Sequence, residues 1–196
     1  MLPQSFTERM QGLLGLEYEE FLASFEHEKY QALRLNPLKR DDMSVITEKV
    51  KQTFQLQPVP WADNGYYYTK EDQPGKHPWH EAGLYYIQEP SAMAPVTLLS
   101  PQPGERILDL CAAPGGKSTQ IASAMEGEGL LVTNEIHPAR AKILSENVER
   151  MGIRNACVLN ETPEHLADIF EEYFDRILVD APCSGEGMFR KEAVAV

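Results

Sequence analysis

The second half of the chain alternates short apolar runs with amphipathic segments of helical length. A strand that continues through a helix into a neighbouring strand returns parallel to the first, because a crossover connection brings the chain back to the same edge. This alternation therefore predicts an α/β fold with a parallel, doubly wound sheet. The apolar runs cover residues 106–110, 129–134, 156–159 and 176–180, and the helical segments cover 117–126, 138–151 and 164–170.

The first half of the chain lacks this alternation. Apolar spacing predicts helices within residues 1–30 and 44–54, the first of them capped by Thr7. A segment rich in Pro, Gly, Trp and Tyr follows and predicts turns with short strands. We therefore expect a small α+β domain over residues 1–75 and a Rossmann-like domain over residues 76–196.

A short polar loop joins the first strand of the predicted parallel sheet to the next helix. Ligands of such sheets bind at the carboxyl ends of strands, where helix N-termini offer free amides. The loop lacks the Gly-x-Gly-x-x-Gly of dinucleotide sites. It ends like a phosphate-binding P-loop, in Gly116-Lys117-Ser118, but Cys111 stands where a P-loop needs its first glycine. Its residues are Cys111, Ala112, Ala113, Pro114, Gly115, Gly116 and Lys117.

This loop suits S-adenosylmethionine better than a nucleotide. S-adenosylmethionine has no pyrophosphate, so a turn with fewer glycines is sufficient. Gly115 and Gly116 let the backbone approach its amino-acid end, and the amides at the helix start can face its carboxylate. Glu135 ends the next strand, where a carboxylate can accept hydrogen bonds from both ribose hydroxyls.

A second motif, Asp180-Ala181-Pro182-Cys183, ends the fourth strand. Amino-group methyltransferases usually have Pro-Pro-aromatic at such a position, whereas a cysteine favours methylation at carbon. Carbon 5 of cytosine is a poor nucleophile until a thiolate has added to carbon 6. Asp180 can hydrogen-bond the ring edge at N3 and stabilise the adduct. We therefore predict Cys183 and Asp180 as catalytic residues.

The two motifs together resemble the RNA cytosine methyltransferases of the Sun/Fmu type. The resemblance implies a Rossmann-like methyltransferase domain, S-adenosylmethionine as cofactor, and 5-methylcytosine in RNA, with small-subunit ribosomal RNA as partner. It makes residues 111–117, Glu135 and Asp180 the cofactor ligands. It places an adenine contact near the end of the third strand, where Asn160, Glu161 and Thr162 remain alternatives. In this family an arginine-asparagine pair, here Arg34 and Asn36, joins the small domain to the catalytic one.

The resemblance also divides the work between two thiols. The attacking cysteine belongs to a later Thr-Cys motif, and the position of Cys183 helps to release the methylated product. The chain ends at Val196, before that motif, so either it is a fragment of a longer enzyme, which we expect, or Cys183 must serve alone. Two rival hypotheses are a non-catalytic module that binds cofactor or RNA, and a nucleoside triphosphatase that uses Gly116-Lys117-Ser118.

Composition limits the remaining possibilities. The net charge of −12 argues against a broad non-specific nucleic-acid surface. Three widely spaced cysteines and five histidines without ligand spacing predict reduced thiols in a cytoplasm and no metal site. Cys157 lies in a predicted strand, and we expect it to pack in the core. No apolar run is long enough to predict a membrane span.

Overall fold

The computed structural model describes residues 2–39 and 43–183. They divide into two compact units. The larger unit contains residues 30–181. The other contains the residues before Tyr30 and, from the later chain, Pro182 and Cys183.

Two helices, α1 (Gln4–Leu14) and α2 (Tyr18–Ser24), form most of the described part of the smaller unit. They are held by an aromatic cluster in which the buried ring of Phe6 lies 6.2 Å from that of Phe21. The expected cap at Thr7 is wrong, because α1 begins three residues earlier and the Thr7 hydroxyl donates to the Gln4 carbonyl. Pro3 precedes the helix, and its fixed φ suits a helix start.

An antiparallel sheet begins the larger unit. Among the described residues its strand order is β2-β3-β1-β4, and all its pairs are antiparallel. Val50 of helix α3 and Phe54, which directly follows this helix, pack their buried side chains against Leu33 and Tyr85 of this sheet. The elements are β1 (Gln31–Leu35), α3 (Met43–Thr53), β2 (Gln57–Pro58), β3 (Gly65–Tyr68), α4 (Pro78–Glu81) and β4 (Tyr85–Ile87).

A parallel sheet follows, as the sequence predicts. Its strand order within the described residues is β7-β6-β5-β8, and every pair is parallel. Its elements are α5 (Ala94–Leu99), β5 (Arg106–Asp109), α6 (Gly116–Ala124), β6 (Leu130–Asn134), α7 (Pro138–Arg150), β7 (Ala156–Leu159), α8 (Pro163–Ile169) and β8 (Arg176–Leu178).

The order of these strands fixes where a ligand can bind. The chain builds β5, β6 and β7 outward in one direction and then returns to place β8 on the other side of β5. A crevice forms at the carboxyl ends of strands where the order reverses in this way. The connection that leaves β5 contains the 111–117 loop, and the segment that leaves β8 contains the 180–183 motif.

The core of this layer is aliphatic. Ile107, Ile121, Met125 and Leu131 are fully buried between the sheet and α6. The expectation that Cys157 packs in this core is wrong, because its side chain is exposed. β7 is the edge of the described sheet, so one face of this strand lacks the cover that a central strand receives.

Candidate cofactor site

A buried carboxylate lies beneath the loop. Asp109 ends β5 with no exposed surface, and its Oδ2 accepts a 2.6 Å hydrogen bond from Ser118 Oγ. Thr133 Oγ1 lies 2.6 Å from the same hydroxyl and so donates to it. Asp109 Oδ1 has no hydrogen-bond partner in the described part of the chain. Burial raises the pKa of Asp109 to about 6, although the Ser118 hydrogen bond and the Lys117 charge oppose the shift.

Helix α7 holds the loop from one side. Arg140 Nη2 donates to the Ala113 carbonyl at 2.8 Å, and Asn147 Nδ2 donates to the Pro114 carbonyl at 2.9 Å. Gly115 follows with a φ of +113°, and a Cβ there would lie 3.2 Å from Leu144 Cδ1. Only glycine adopts this conformation without strain, so the turn into α6 depends on Gly115.

The loop ends at the N-terminus of α6. Amides in the first turn of a helix lack partners within the helix and face outward. Here they begin at Gly116, which has no side chain to cover them. Lys117 Nζ lies 2.6 Å from Asp180 Oδ2, so this ion pair joins the loop to the segment that follows β8. The Asp180 side chain is more than half exposed.

Glu135 lies on the opposite flank of the loop. Its carboxylate is buried, accepts a 3.1 Å hydrogen bond from the His137 amide, and pairs with Arg140 Nη1 at 3.3 Å. Arg140 thus contacts both Glu135 and the loop carbonyl of Ala113. Residues 111–117, Glu135 and Asp180 are therefore brought together at the carboxyl ends of β5, β6 and β8.

The charges around the site shift the pKa of the Cys111 thiol. Its side chain is half-buried. Burial raises the pKa of its thiol, and the carboxylates of Glu135, Asp109 and Asp180 raise it further, against the opposing charge of Arg140. A thiol in this setting stays protonated at neutral pH, which makes Cys111 a poor nucleophile.

The three candidates for an adenine contact follow β7. Asn160 Nδ2 donates to the carbonyls of Glu135 at 2.6 Å and Ile136 at 2.9 Å, so its amide holds the backbone that carries the Glu135 side chain. Thr162 caps α8 by accepting a hydrogen bond from the His165 amide. Glu161 pairs with the His165 ring at 2.7 Å. Which of them contacts adenine stays a prediction.

Cys183 is an exposed free thiol in the smaller unit. Its predicted part in the chemistry stays a prediction.

The P-loop alternative conflicts with the structure. A P-loop serine must present its hydroxyl to a metal ion beside the phosphates. Ser118 is completely buried, and its hydroxyl bonds Asp109 and Thr133 instead. The Lys117 ammonium pairs with Asp180. These contacts leave the Gly-Lys-Ser sequence without the side chains that a phosphate site requires.

Sequence reasoning missed three residues that shape the site, namely Asp109, Arg140 and Asn147. Asp109 was visible as the acidic residue that ends β5, directly before the loop. Arg140 and Asn147 lie on one side of α7, seven residues apart, which is two helical turns. Their spacing shows that they share a face, but only the fold shows that this face meets the loop.

A cavity of about 720 Å³ lies on another side of α6. Its lining includes Asn64, Thr97, Gln102 and Glu126, and none of residues 111–117, Glu135 or Asp180. Among the described residues no cluster of three or more His, Cys, Asp or Glu side chains could hold a metal ion. No helix in the same ranges is long and apolar enough to cross a membrane.

Comparisons with known proteins show the family of the chain. Residues 96–195 match the family model of 16S rRNA methyltransferase RsmB/F, and residues 2–90 match the model of the N-terminal domain of 16S rRNA methyltransferase RsmF. The whole chain is 38% identical to ribosomal RNA small subunit methyltransferase F of Vibrio parahaemolyticus, over 42% of that protein's length. The Aeromonas hydrophila protein of the same name is also 38% identical, over 43% of its length. The chain thus spans less than half of these relatives.

Solved structures show the same fold. A methyltransferase homologue from Pyrococcus horikoshii superposes with a TM-score of 0.83 at 31% identity, over 98% of this chain and 63% of that one. NSun6 from the same organism superposes with a TM-score of 0.80 at 19% identity, over 93% of this chain and 71% of that one. The second likeness concerns the fold alone.

Proposed function

Because the chain belongs to the 16S rRNA methyltransferase RsmB/F family, we propose that it uses S-adenosylmethionine to methylate carbon 5 of a cytosine in small-subunit ribosomal RNA. The observation that supports this most strongly is the meeting of three groups at one sheet edge. They are the 111–117 loop, the buried Glu135 carboxylate and the Lys117–Asp180 ion pair.

The donor set of this site fits S-adenosylmethionine. The first amides of α6 suit the carboxylate of its amino-acid end. Glu135 offers a fixed carboxylate to the ribose hydroxyls, because His137 and Arg140 hold it in place. The three carboxylates of Asp109, Glu135 and Asp180 outnumber the two cations Lys117 and Arg140, so the site has a net negative charge, which favours a cationic sulfonium over a phosphate. Together these groups make the site favour a cationic ligand that carries a ribose over a ligand that carries phosphate groups.

The residues then divide the chemistry as follows. When bound, S-adenosylmethionine would supply an electrophilic methyl group. Asp180 holds the cytosine ring edge, and Lys117 neutralises its charge from 2.6 Å. In the reaction a thiolate adds to carbon 6, carbon 5 takes the methyl group with S-adenosylhomocysteine as the leaving group, and the carbon 5 proton passes to water as the thiolate is released. By resemblance, Cys183 assists this release where a later Thr-Cys motif supplies the attacking thiol, and Cys183 makes the attack where that motif is absent.

Cofactor binding without turnover is the second candidate function. It is favoured by the length comparison, because the chain spans 42% of a relative that carries the methyltransferase name. It retains every cofactor contact proposed above and gives up only the methyl transfer.

One experiment separates these functions. The chain is incubated with S-adenosylmethionine labelled in its methyl group and with unmodified 16S ribosomal RNA, and label in 5-methylcytosine is measured. Cofactor binding is followed in parallel by calorimetry, with ATP as a competitor. The matched variants are Cys183→Ala and Cys157→Ala, since both replace exposed thiols.

Each outcome decides something. Labelled 5-methylcytosine supports the full proposal with Cys183 as the attacking thiol, and Cys183→Ala should then abolish the label, while Cys157→Ala leaves it unchanged. Binding without label supports the second candidate. A chain that binds ATP and ignores S-adenosylmethionine would overturn both.

A further inference from the structure

A buried arginine connects the antiparallel sheet to α6, the helix whose N-terminus follows the cofactor loop. Arg34, in β1, is 2% exposed. Its Nε donates to Gln88 Oε1 at 3.1 Å, its Nη1 to Ser123 Oγ at 3.1 Å and its Nη2 to Thr119 Oγ1 at 2.7 Å. Thr119 and Ser123 lie one turn apart on α6.

All of these acceptors are neutral. No carboxylate forms a hydrogen bond or ion pair with Arg34 among the contacts of residues 2–39 and 43–183. Burying a guanidinium without a counter-charge is costly, and burial lowers the pKa of Arg34 to about 9. An apolar side chain in the same space would avoid this cost. The presence of a buried arginine here therefore points to a role for the hydrogen bonds that it makes.

The two hydroxyls pass the interaction on to the backbone of α6. Thr119 Oγ1 accepts from Arg34 and donates to the Gly116 carbonyl at 3.1 Å. Ser123 Oγ accepts from Arg34 and donates to the Thr119 carbonyl at 2.8 Å. Each hydroxyl hydrogen is already used on a carbonyl, so only a donor can satisfy the remaining lone pairs. An arginine reaches both hydroxyls and Gln88 at once, which a lysine cannot do.

A second contact brings the same sheet against the loop itself. Gly116 begins α6, and a Cβ there would lie 3.3 Å from Tyr86 Cε1 and 3.5 Å from Gln88 Cδ. Both neighbours belong to β4 or directly follow it. Gln88 Nε2 also donates to Gln120 Oε1 at 3.2 Å, on the next turn of α6. The antiparallel sheet therefore packs against the first turn of α6 and hydrogen-bonds to it.

We propose that Arg34 is a positioning residue of the cofactor site, which sets the first turn of α6 and thereby the affinity of the 111–117 loop for S-adenosylmethionine. This inference rests on the proposed function, because it assumes that the loop holds this cofactor. Its consequence is that the antiparallel sheet belongs to the binding apparatus and does more than join two parts of the fold.

The test compares variants that weaken this network with one that weakens another buried link. Arg34→Lys keeps the positive charge but removes the guanidinium group that reaches several acceptors at once. Thr119→Val keeps the shape of the side chain but removes its hydroxyl. Asn36→Ala is the matched control. Asn36 is also fully buried, and its amide donates to the carbonyls of Gly83 and Met151, away from α6.

Affinity for S-adenosylhomocysteine is measured by calorimetry, and thermal unfolding is measured on the same samples. We expect Arg34→Lys and Thr119→Val to bind roughly tenfold more weakly, since each breaks a hydrogen bond that involves a charged group. Asn36→Ala should bind within about twofold of the unchanged chain, even where its unfolding temperature falls as far. Amide exchange at residue 119, whose amide donates to the Gly115 carbonyl at 2.9 Å, should quicken in the first two variants only.

The results distinguish the failures. Unchanged affinity in Arg34→Lys and Thr119→Val overturns the inference, and so does a loss of affinity that simply follows unfolding temperature across all three variants. If the unchanged chain binds no S-adenosylhomocysteine, the proposed function fails. Amide exchange at residue 119 then decides alone whether Arg34 positions this turn.

Discussion

Replacing Asp109 with asparagine should change how stability depends on pH. Asp109 is completely buried, and its pKa is raised from 3.8 to about 6. Below about pH 4 the carboxyl is protonated in the folded and the unfolded chain. Between about pH 4 and pH 6 only the folded chain keeps the proton, so stability falls as pH rises. Above this window the charged group is buried and the full penalty remains.

The size of the penalty follows from the pKa difference. About two pKa units correspond to about 3 kcal/mol of free energy of unfolding. Asparagine has no charge to bury, so the stability of Asp109→Asn relative to the unchanged chain should rise by about this amount between about pH 4 and pH 7.5. A constant offset from the lost Ser118 geometry affects both ends equally and cancels from the comparison.

Urea unfolding, followed by circular dichroism at several pH values, measures this difference. Asp175→Asn is the control of opposite sign. The pKa of Asp175 is lowered, chiefly by the hydrogen bond that its carboxylate accepts from the Arg106 amide. Its stabilising contribution is present at neutral pH and is lost as pH falls, so its asparagine variant should lose most at neutral pH. A flat difference for Asp109→Asn, or one that shrinks toward neutral pH, would refute the account of the buried carboxylate.

Two further predictions concern backbone and thiols. Gly127 and Gly129 share one turn with φ values of +81° and +77°, but a Cβ at Gly129 would lie 2.2 Å from the Glu105 carbonyl oxygen, and nothing lies near one at Gly127. Gly127→Ala should therefore lower the free energy of unfolding by only about 1 kcal/mol, through backbone strain, and Gly129→Ala should lower it by at least about 3 kcal/mol. Urea unfolding measures both values, and equal losses would contradict the close approach of Gly129 to the Glu105 carbonyl. Iodoacetamide should alkylate the exposed Cys157 well before Cys111, because burial and a raised pKa leave little thiolate at Cys111. Mass spectrometry of timed samples measures the order of modification. Modification of Cys111 first would contradict the electrostatics of the loop.

The parallel sheet was predictable because its signal is local and repeated. Each strand is a short apolar run and each connection has helical spacing, and strands that alternate with helices favour parallel pairing. The partner of β4 was not predictable in this way. The apolar run at residues 84–87 predicts a strand. A strand at the start of the alternating region could join either sheet, and the structure pairs Leu35 with Tyr85. The exposure of Cys157 has the same origin, since it depends on which strand lies at the edge. The domain boundary near residue 75 stays a prediction.

The candidate site shows the same division. Residues 111–117 and Glu135 could be selected because each follows a predicted strand of a parallel sheet, and the carboxyl ends of such strands meet. Arg140 could not, because its importance comes from reaching both Ala113 and Glu135 across two elements. The network around Arg34 crosses from one sheet to another, and no spacing along the chain encodes such a contact.

The central claim is that the Glu135 carboxylate holds the ribose of S-adenosylmethionine beside the loop. It is tested by titrating S-adenosylhomocysteine and its 2′-deoxy analogue into the unchanged chain and into Glu135→Gln, with calorimetric detection. The unchanged chain should prefer the natural compound by roughly tenfold or more, as expected for a hydrogen bond to a charged group, and Glu135→Gln should lose most of that preference. Equal affinity of the unchanged chain for both compounds, or a preference that survives in Glu135→Gln, would contradict the account.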